Sequence, residues 1–173
     1  MSELFFAADH HFDHESVIKF TDENGKKYRD FPDLDTMHQH IIAQHNSVVG
    51  VNDTVYFLGD VSFSGPGLEY LNEMNGKKFV LLKGNHDRFK ITEYLKYFDD
   101  ICGVLKKGDA VLSHVPVHSS QLEYRWKLNI HGHTHSNYVL DEHGQRDMRY
   151  YNVSMEAINF TPVSLDEILS TLK

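Results

Sequence analysis

Cysteine is almost absent from this sequence, whose 173 residues include only Cys102. A lone cysteine cannot form an intramolecular disulfide, so we expect the chain to fold in a reducing compartment. Long apolar runs are missing as well, since none approaches the roughly 20 residues of a membrane-spanning helix. Residues 1–3 lack the basic start of a signal peptide. These absences predict a cytoplasmic protein with no membrane partner.

The sequence has no excess of basic residues either. The 25 Asp and Glu residues outnumber the 17 Lys and Arg residues, which gives a formal net charge of −8. This balance argues against a broad basic surface, and we expect no extended duplex nucleic acid as a partner. Bound cations would reverse the sign of the field locally. The length suits a single domain that spans residues 1–173.

Histidine is the residue type that stands out, with 13 copies against one cysteine. It is the commonest metal ligand in proteins and the usual acid or base near neutral pH. Imidazoles and carboxylates without thiolates suit Mn, Fe, Ni or Zn better than an iron–sulfur cluster or a zinc–thiolate site. A histidine-rich surface would give the same count, so the positions along the chain have to decide.

Five apolar runs have the pattern of strands: residues 4–8, 53–60, 78–82, 110–113 and 128–131. Helical spacing predicts a helix over residues 33–47 with Asp33 as its N-cap, and another over 69–75. A capping box at residue 164 predicts a final helix that runs to about Leu172. We also expect a short helix over residues 15–20 and a polar turn over residues 21–29.

The order of these elements predicts the fold class. Strands and helices alternate up to residue 82, which favours a parallel sheet flanked by helices. Further on, residues 101–105 and 110–113 predict one hairpin. Residues 136–140 and 148–154 predict a second hairpin around residues 142–144. We therefore expect an α/β fold of four layers, α-β-β-α, in which two mixed sheets form a sandwich with helices outside.

Polar side chains follow each of the five strands. An isolated group of this kind has an ordinary explanation: residues 9–14 could be a solvated loop, and Asp87 could cap the next helix. Five coincident placements favour a shared site, because burying even one such carboxylate without a partner is costly. The number of groups suits two metal ions about 3.5–4 Å apart with one bridging carboxylate. The candidates are Asp9, His11, Asp60, Asn85, His86, Asp87, His114, His133 and His135.

The ordered motifs resemble the calcineurin-like metallophosphoesterase superfamily. They are Asp-x-His at residues 9–11, Gly-Asp at 59–60, Gly-Asn-His-Asp at 84–87, Ser-His at 113–114 and Gly-His-x-His at 132–135. All five in this order form a specific match that spans residues 9–135. The stretch over residues 9–14 looks most like the small, capless bacterial and phage members. The resemblance implies the metallo-dependent phosphatase-like form of the four-layer sandwich.

The resemblance also implies a role for each residue. Asp9, His11 and His135 would bind a first metal, and Asn85, His114 and His133 a second. Asp60 would bridge the two ions, which we expect to be Mn²⁺, with Fe, Ni or Zn as alternatives. A hydroxide bridging the ions would attack phosphorus in line, while His86 stabilises or protonates the leaving oxygen.

One position departs from the superfamily pattern. Larger phosphatases carry a second Asp three residues after the Gly-Asp carboxylate, and it orients the catalytic histidine. Here that position is Phe63. Asp87 is then a guess for the partner of His86. His14 and Arg88 flank the motifs and are candidates for contacting a substrate phosphate.

Several functions remain open on the sequence. The leading one is hydrolysis of small or nucleotide-derived phosphodiesters, because no second cationic cluster suited to a dianionic monoester accompanies the ligands. A phosphomonoesterase is the alternative, and a nuclease on long DNA is disfavoured by the acidic balance. A scaffold is a further option, since a retromer subunit resembles this superfamily and serves in assembly. The complete ligand set favours an enzyme over a scaffold. The sequence makes no prediction of oligomeric state.

Overall fold

The computed structural model describes residues 2–171 of the chain. In chain order its elements are β1 (Leu4–Ala7), α1 (Leu34–Val48), β2 (Thr54–Phe57), a 3-10 helix (Pro66–Glu73), β3 (Lys78–Leu82), α2 (Ile91–Tyr94), β4 (Asp100–Cys102), β5 (Val104–Lys107), β6 (Ala110–Ser113), α3 (Gln121–Tyr124), β7 (Leu128–His131), β8 (Tyr150–Asn152), β9 (Val163–Ser164) and α4 (Leu165–Ser170).

The strands form two mixed sheets. The first has the order β4-β3-β2-β1-β9, in which β1 to β4 are parallel and β9 is antiparallel to β1. The second has the order β5-β6-β7-β8, in which β5 is antiparallel to β6 and the other pairs are parallel. The predicted sandwich of two mixed sheets with flanking helices is confirmed.

Alternation along β1 explains why its sheet is covered on both faces. Phe5 and Ala7 point into a cluster with α1 and the 3-10 helix, while Phe6 and Ala8 point into the cluster between the sheets. All four side chains are buried, as expected for a central parallel strand. The outer face of the second sheet is covered by a smaller cluster in which Leu122 of α3 packs with Val111.

The two sheets are joined next to the end of β1. Ala8 forms a parallel bridge with Ser154, just after β8. The Ala8 amide donates to Val153 at 2.8 Å, and the Met155 amide donates to Ala8 at 3.1 Å. This link holds the carboxyl ends of the parallel strands of both sheets along one rim, because it fixes the end of β1 against the chain that leaves β8.

The helix predictions have mixed outcomes. α1 matches closely, and the Asp33 carboxylate accepts from the Thr36 amide at 2.7 Å, as an N-cap does. Residues 15–20 form turns instead of a helix, and the expected helix over 69–75 is the 3-10 helix Pro66–Glu73. α4 begins at the predicted capping box, whereas its predicted end at Leu172 lies outside the described residues.

The second predicted hairpin is correct at its turn and wrong in its second arm. Leu140 bridges Arg146 in antiparallel fashion, and the Asp147 amide donates to the Val139 carbonyl at 2.9 Å. β8, however, pairs in parallel with β7 instead of with residues 136–140. Burial explains why the antiparallel pairing stops there, since Tyr150 packs beside Val111 on the outer face of the second sheet, whereas the Leu140 side chain is 59% exposed. Of the first predicted hairpin, β5 and β6 pair as expected, but residues 101–102 lie in the first sheet.

In residues 2–171, no helix combines the length and the apolar character needed to cross a bilayer.

Candidate metal centre

The predicted polar side chains meet where the parallel strands end. Asp9, Asp60 and Asn85 follow β1, β2 and β3, which run in parallel and finish at one edge of the first sheet. His114 and His133 follow β6 and β7, which are parallel neighbours in the second sheet. Because the sheets are joined at Ala8, these two edges form a single rim. Ligand sites of α/β sheets are typically found at such an edge.

Two groups of potential metal ligands lie on this rim. One contains Asp9, His11 and His135, and the other contains Asp60, His114 and His133. Within each group the three ligand atoms lie within 4.8 Å of one another. The Asn85 amide oxygen lies 3.0 Å from His114 Nε2, which places it in the second group. All seven proposed ligands are therefore brought into two adjacent clusters, divided as the resemblance implies. The bridging role of Asp60 stays a prediction.

The backbone is unusual at five of these seven residues. Asp9, His11, Asp60, His133 and His135 all have positive φ angles, between 51° and 70°. This left-handed conformation is uncommon for residues other than glycine, and it occurs often at functional sites. All five residues lie within four positions after the end of β1, β2 or β7, so the turns that follow these strands carry the candidate ligands.

Two glycines allow the turns to approach one another. A Cβ at Gly84 would overlap the Asp60 carboxylate and lie 2.7 Å from the Asp60 amide nitrogen. A Cβ at Gly59, whose φ is 95°, would lie 2.5 Å from His114 Nδ1. Both positions need glycine because any larger residue would push apart the turns that carry the second cluster.

Several candidate ligand atoms have no hydrogen-bond partner among residues 2–171. These buried atoms include Asp9 Oδ1 and both ring nitrogens of His11, and Asp9 Oδ1 lies 3.8 Å from His11 Nε2. Buried polar atoms are normally paired. Burial raises the pKa of the Asp9 carboxyl to about 6 and lowers the pKa of His11. Orphaned donors of this type, imidazole nitrogen and carboxylate oxygen, are those that a first-row divalent cation binds. The residues fit a metal pair.

Hydrogen bonds fix the ring orientation of two of the histidines. His114 Nδ1 lies 2.7 Å from the Leu58 carbonyl, which can only accept, so this nitrogen donates and the neutral ring has its lone pair on Nε2. His135 Nδ1 lies 3.1 Å from Glu156 Oε1 and is fixed in the same way. A carbonyl or carboxylate behind a histidine is the usual support of a metal-binding imidazole.

His86 lies beside the first cluster. Its ring centroid is 5.8 Å from that of His11, and its backbone amide donates to Asp60 Oδ1 at 2.8 Å. Asp87 does not orient it. The Asp87 carboxylate accepts the amides of Asp60 at 2.8 Å, Val61 at 3.1 Å and Gly84 at 2.8 Å, and no Asp87–His86 side-chain bond is present in the described chain.

Asp87 therefore ties the Gly-Asp turn to the Gly-Asn-His-Asp turn, which differs from the role suggested by the sequence. The carboxylate is buried, and this burial raises its pKa despite the three amides. It is not the cap of the next helix either, because α2 begins at Ile91 with Lys90 as its N-cap.

The two proposed substrate contacts differ in placement. The His14 ring stacks on the Phe63 ring with centroids 3.8 Å apart and planes 1° apart. The Phe63 ring centroid also lies 4.8 Å from that of His86, so one aromatic ring lies against both histidines. Arg88 is exposed, and its Nε lies 3.4 Å from the Asn85 carbonyl. Both residues border the clusters, and their contact with a substrate stays a prediction.

Sequence reasoning missed a buried ion pair behind the site. Arg29, assigned to a polar turn, is fully buried, and its Nε lies 2.7 Å from Glu156 Oε1. Its other nitrogens donate to the carbonyls of His10 at 2.9 Å and Asp9 at 2.5 Å. Burial alone would raise the pKa of Glu156, but the Arg29 charge and the His135 hydrogen bond lower it to about 2. Nothing in the local pattern around residues 29 or 156 signals this pair.

Asn152, at the end of β8, was missed as well. Its amide nitrogen donates to the His135 carbonyl at 2.6 Å and to the Asn137 carbonyl at 3.0 Å. Its oxygen accepts from the Ser154 amide at 2.9 Å. One buried amide thus holds the loop that carries His135 against the strand that leads to Glu156.

Comparison with known proteins places the chain among relatives. The uncharacterized protein MJ1445 from Methanocaldococcus jannaschii is 33% identical over 183 aligned positions, which cover 100% of this chain and 93% of MJ1445. The chain belongs to the MJ1445 family. A further relative of the chain is the gene 66 protein of Mycobacterium phage L5, which is 29% identical over 97% of this chain and 93% of the phage protein. No protein-family model matches.

A solved structure resembles the fold of this chain as well. AQ665 from Aquifex aeolicus, a protein of unknown function, superposes with a TM-score of 0.72 at 25% identity. The match covers 99% of this chain and all of AQ665. The arrangement of two sheets is therefore shared over the full length of both chains.

Proposed function

We propose that this protein is a metal-dependent phosphoric ester hydrolase that acts on phosphodiesters through two divalent ions. The observation that carries the proposal is the pair of clusters at the rim, where six candidate ligands and the neighbouring Asn85 converge from five strand ends, several of their atoms without a partner among the described residues. The motif resemblance to the calcineurin-like metallophosphoesterases supports the same conclusion. Mn²⁺ is the first ion to test.

Each residue has a defined task in this proposal. Asp9, His11 and His135 hold one ion, and His114 and His133 the other, with Asn85 as a neutral ligand and Asp60 between them. The ions supply a water of lowered pKa and positive charge that neutralises the phosphoryl oxygens.

The remaining steps fall to side chains at the edge of the clusters. His86 stabilises or protonates the leaving oxygen, since its ring lies beside the His11 ring and its backbone is fixed by Asp60. The stacked His14 and Phe63 rings form a rigid wall beside it. The preference for diesters rests on the sequence, in which no second cationic cluster accompanies the ligands.

The test compares two substrates and two variants. Chelated protein is re-supplied with Mn²⁺ and given bis-p-nitrophenyl phosphate or p-nitrophenyl phosphate. We expect Mn²⁺-dependent release from the diester, and a loss of orders of magnitude in His86→Ala. His143→Ala is the control, because that histidine is exposed on the turn at residues 141–144. Bound metal is counted by elemental analysis in the same samples, with two ions per chain expected.

Other results would change the assignment. A preference for the monoester would make the protein a phosphomonoesterase. Absence of turnover with any divalent metal, in protein that holds two ions, would favour a scaffold on the same fold. Metal binding has a readout of its own, since ion at 100 times its Kd stabilises the fold by about 2.7 kcal/mol per site. For a chain of this length that raises Tm by about 5 to 10 °C.

A further inference from the structure

A cavity of about 580 Å³ opens beside the first ligand cluster. We call it the aromatic groove. Its wall includes Phe20 and Tyr28, whose side chains are 49% and 41% exposed, together with Lys19 and Asn137. His135 lines it as well and so belongs both to the groove and to the proposed metal site. The groove and the first ligand cluster are therefore contiguous.

The two aromatic residues are brought together by a short turn. Thr21 pairs with Lys27 in an antiparallel bridge, and the Tyr28 amide donates to the Phe20 carbonyl at 3.1 Å. The Asp22 carboxylate accepts two amides inside the turn, each at 2.9 Å. The turn is thus a preformed support for two exposed rings.

The turn is anchored at the metal site. Arg29 directly follows Tyr28, and its buried guanidinium bonds to the Asp9 and His10 carbonyls and to Glu156. Aromatic contacts continue from the groove to the site. The Phe20 ring lies 5.8 Å from the His14 ring, edge to face, and His14 stacks on Phe63. The rings of Phe20 and Tyr28 are thus held in a fixed position relative to the candidate metal-binding residues.

We propose that the aromatic groove binds the nucleoside of a nucleotide phosphodiester whose scissile phosphate lies at the metal clusters. This inference rests on the proposed function and names its substrate class. A volume of about 580 Å³ lies in the usual range of small-molecule pockets, roughly 300 to 1,000 Å³. Base stacking on exposed aromatic side chains is the common means of holding an unpaired nucleotide.

The polar lining suits the same ligand. Asn137 offers an amide edge, and Ser136 and Thr21 offer hydroxyl groups to the sugar or to the base edge. Lys19 supplies one positive charge at the wall and Glu156 supplies one negative charge, so the lining has no excess of either sign, which suits an uncharged nucleoside. A purely apolar ligand would leave these groups unpaired, and an extended acidic ligand would find too few cations.

The experiment uses two diesters with the same leaving group. They are thymidine 5'-(4-nitrophenyl phosphate) and methyl 4-nitrophenyl phosphate, assayed with the full chain and Mn²⁺. We expect wild type to prefer the nucleoside ester in kcat/KM. In Phe20→Ala the ratio of the two kcat/KM values falls about 5- to 150-fold, the factor for losing one base stack. Phe20→Trp keeps the ratio, because indole also stacks, whereas Phe20→Leu loses it.

Tyr124→Ala is the matched control. This tyrosine is 86% exposed on α3, against the second sheet, and its removal leaves the ratio unchanged. An unchanged ratio in Phe20→Ala as well would overturn the proposal, and so would wild type that does not prefer the nucleoside ester. Circular dichroism verifies that each variant is folded.

A binding measurement separates this proposal from the proposed function. Metal-loaded protein is titrated calorimetrically with thymidine 5'-phosphate and with methyl phosphate. Tighter binding of the nucleotide, lost in Phe20→Ala, supports the groove even if neither diester is hydrolysed. Hydrolysis of both diesters with equal affinity for the two phosphates supports the hydrolase and refutes the nucleoside site.

Discussion

Replacement of Glu156 by glutamine tests the buried Arg29–Glu156 ion pair behind the candidate metal centre. The change removes one negative charge and keeps the shape of the side chain. Arg29 is fully buried, and the Glu156 side chain is 5% exposed, so solvent cannot replace the lost charge. The variant leaves a guanidinium in the interior with two backbone carbonyls and one neutral amide as its partners.

The expected loss follows from the cost of an uncompensated buried charge. Removing one partner of a buried pair typically destabilises a protein by about 3 to 5 kcal/mol. We expect the lower end, about 3 kcal/mol, because Arg29 keeps its bonds to Asp9 and His10. That is a large fraction of the 5 to 15 kcal/mol by which domains are usually stable. For a chain of this length the fall in Tm is roughly 6 to 12 °C.

The assay is urea unfolding of chelated protein followed by circular dichroism. Chelation keeps metal binding out of the measured free energy. Asp109→Asn is the control, because the Lys127–Asp109 pair is 3.8 Å long with both side chains more than three-quarters exposed. Such a pair contributes about 0 to 1 kcal/mol.

A double variant sharpens the test. Arg29→Met combined with Glu156→Gln removes both charges, and we expect a coupling energy of about 2 kcal/mol between the two changes. If Glu156→Gln costs no more than Asp109→Asn, the pair does not stabilise the fold and the reasoning fails. Additive effects of the two changes would mean that they do not act as a pair.

Two further predictions concern the turns and the core. Gly84→Ala should cost about 1 to 3 kcal/mol and weaken the second ion in a metal titration, because its Cβ meets Asp60, whereas Gly103→Ala has open space and should do neither. Burial lowers the pKa of His45 in the folded protein, so below about pH 6.5 the unfolded chain binds more protons than the folded chain. The free energy of unfolding therefore falls as the pH drops from 7 to 5. In urea titrations His45→Gln should show a shallower fall, by up to about 1.4 kcal/mol per pH unit, and an equal slope would contradict this.

The sequence was a good guide wherever a local pattern matched a local outcome. The apolar runs at residues 4–8 and 78–82 became β1 and β3, and Asp33 caps α1 as its position suggested. The hairpin predicted over residues 136–154 forms only next to its turn, up to Val139 and Asp147, and its second arm does not extend into β8. Pairing depends on which faces become buried, and the partner of β8 proved to be β7, reached across the fold.

The sequence by itself was enough to predict the candidate ligands, because a metal site needs particular donor atoms and these recur at strand ends in a recognisable order. Only the tertiary structure decided what holds them. Glu156 is hydrogen-bonded to His135, which lies 21 residues away in the chain, and Arg29 pairs with Glu156 across 127 residues. Asp87 became a tie between two turns through backbone amides. The type of ligand atom that a residue can offer follows from its identity alone, whereas the direction of its side chain depends on the packing of segments that are distant in the chain.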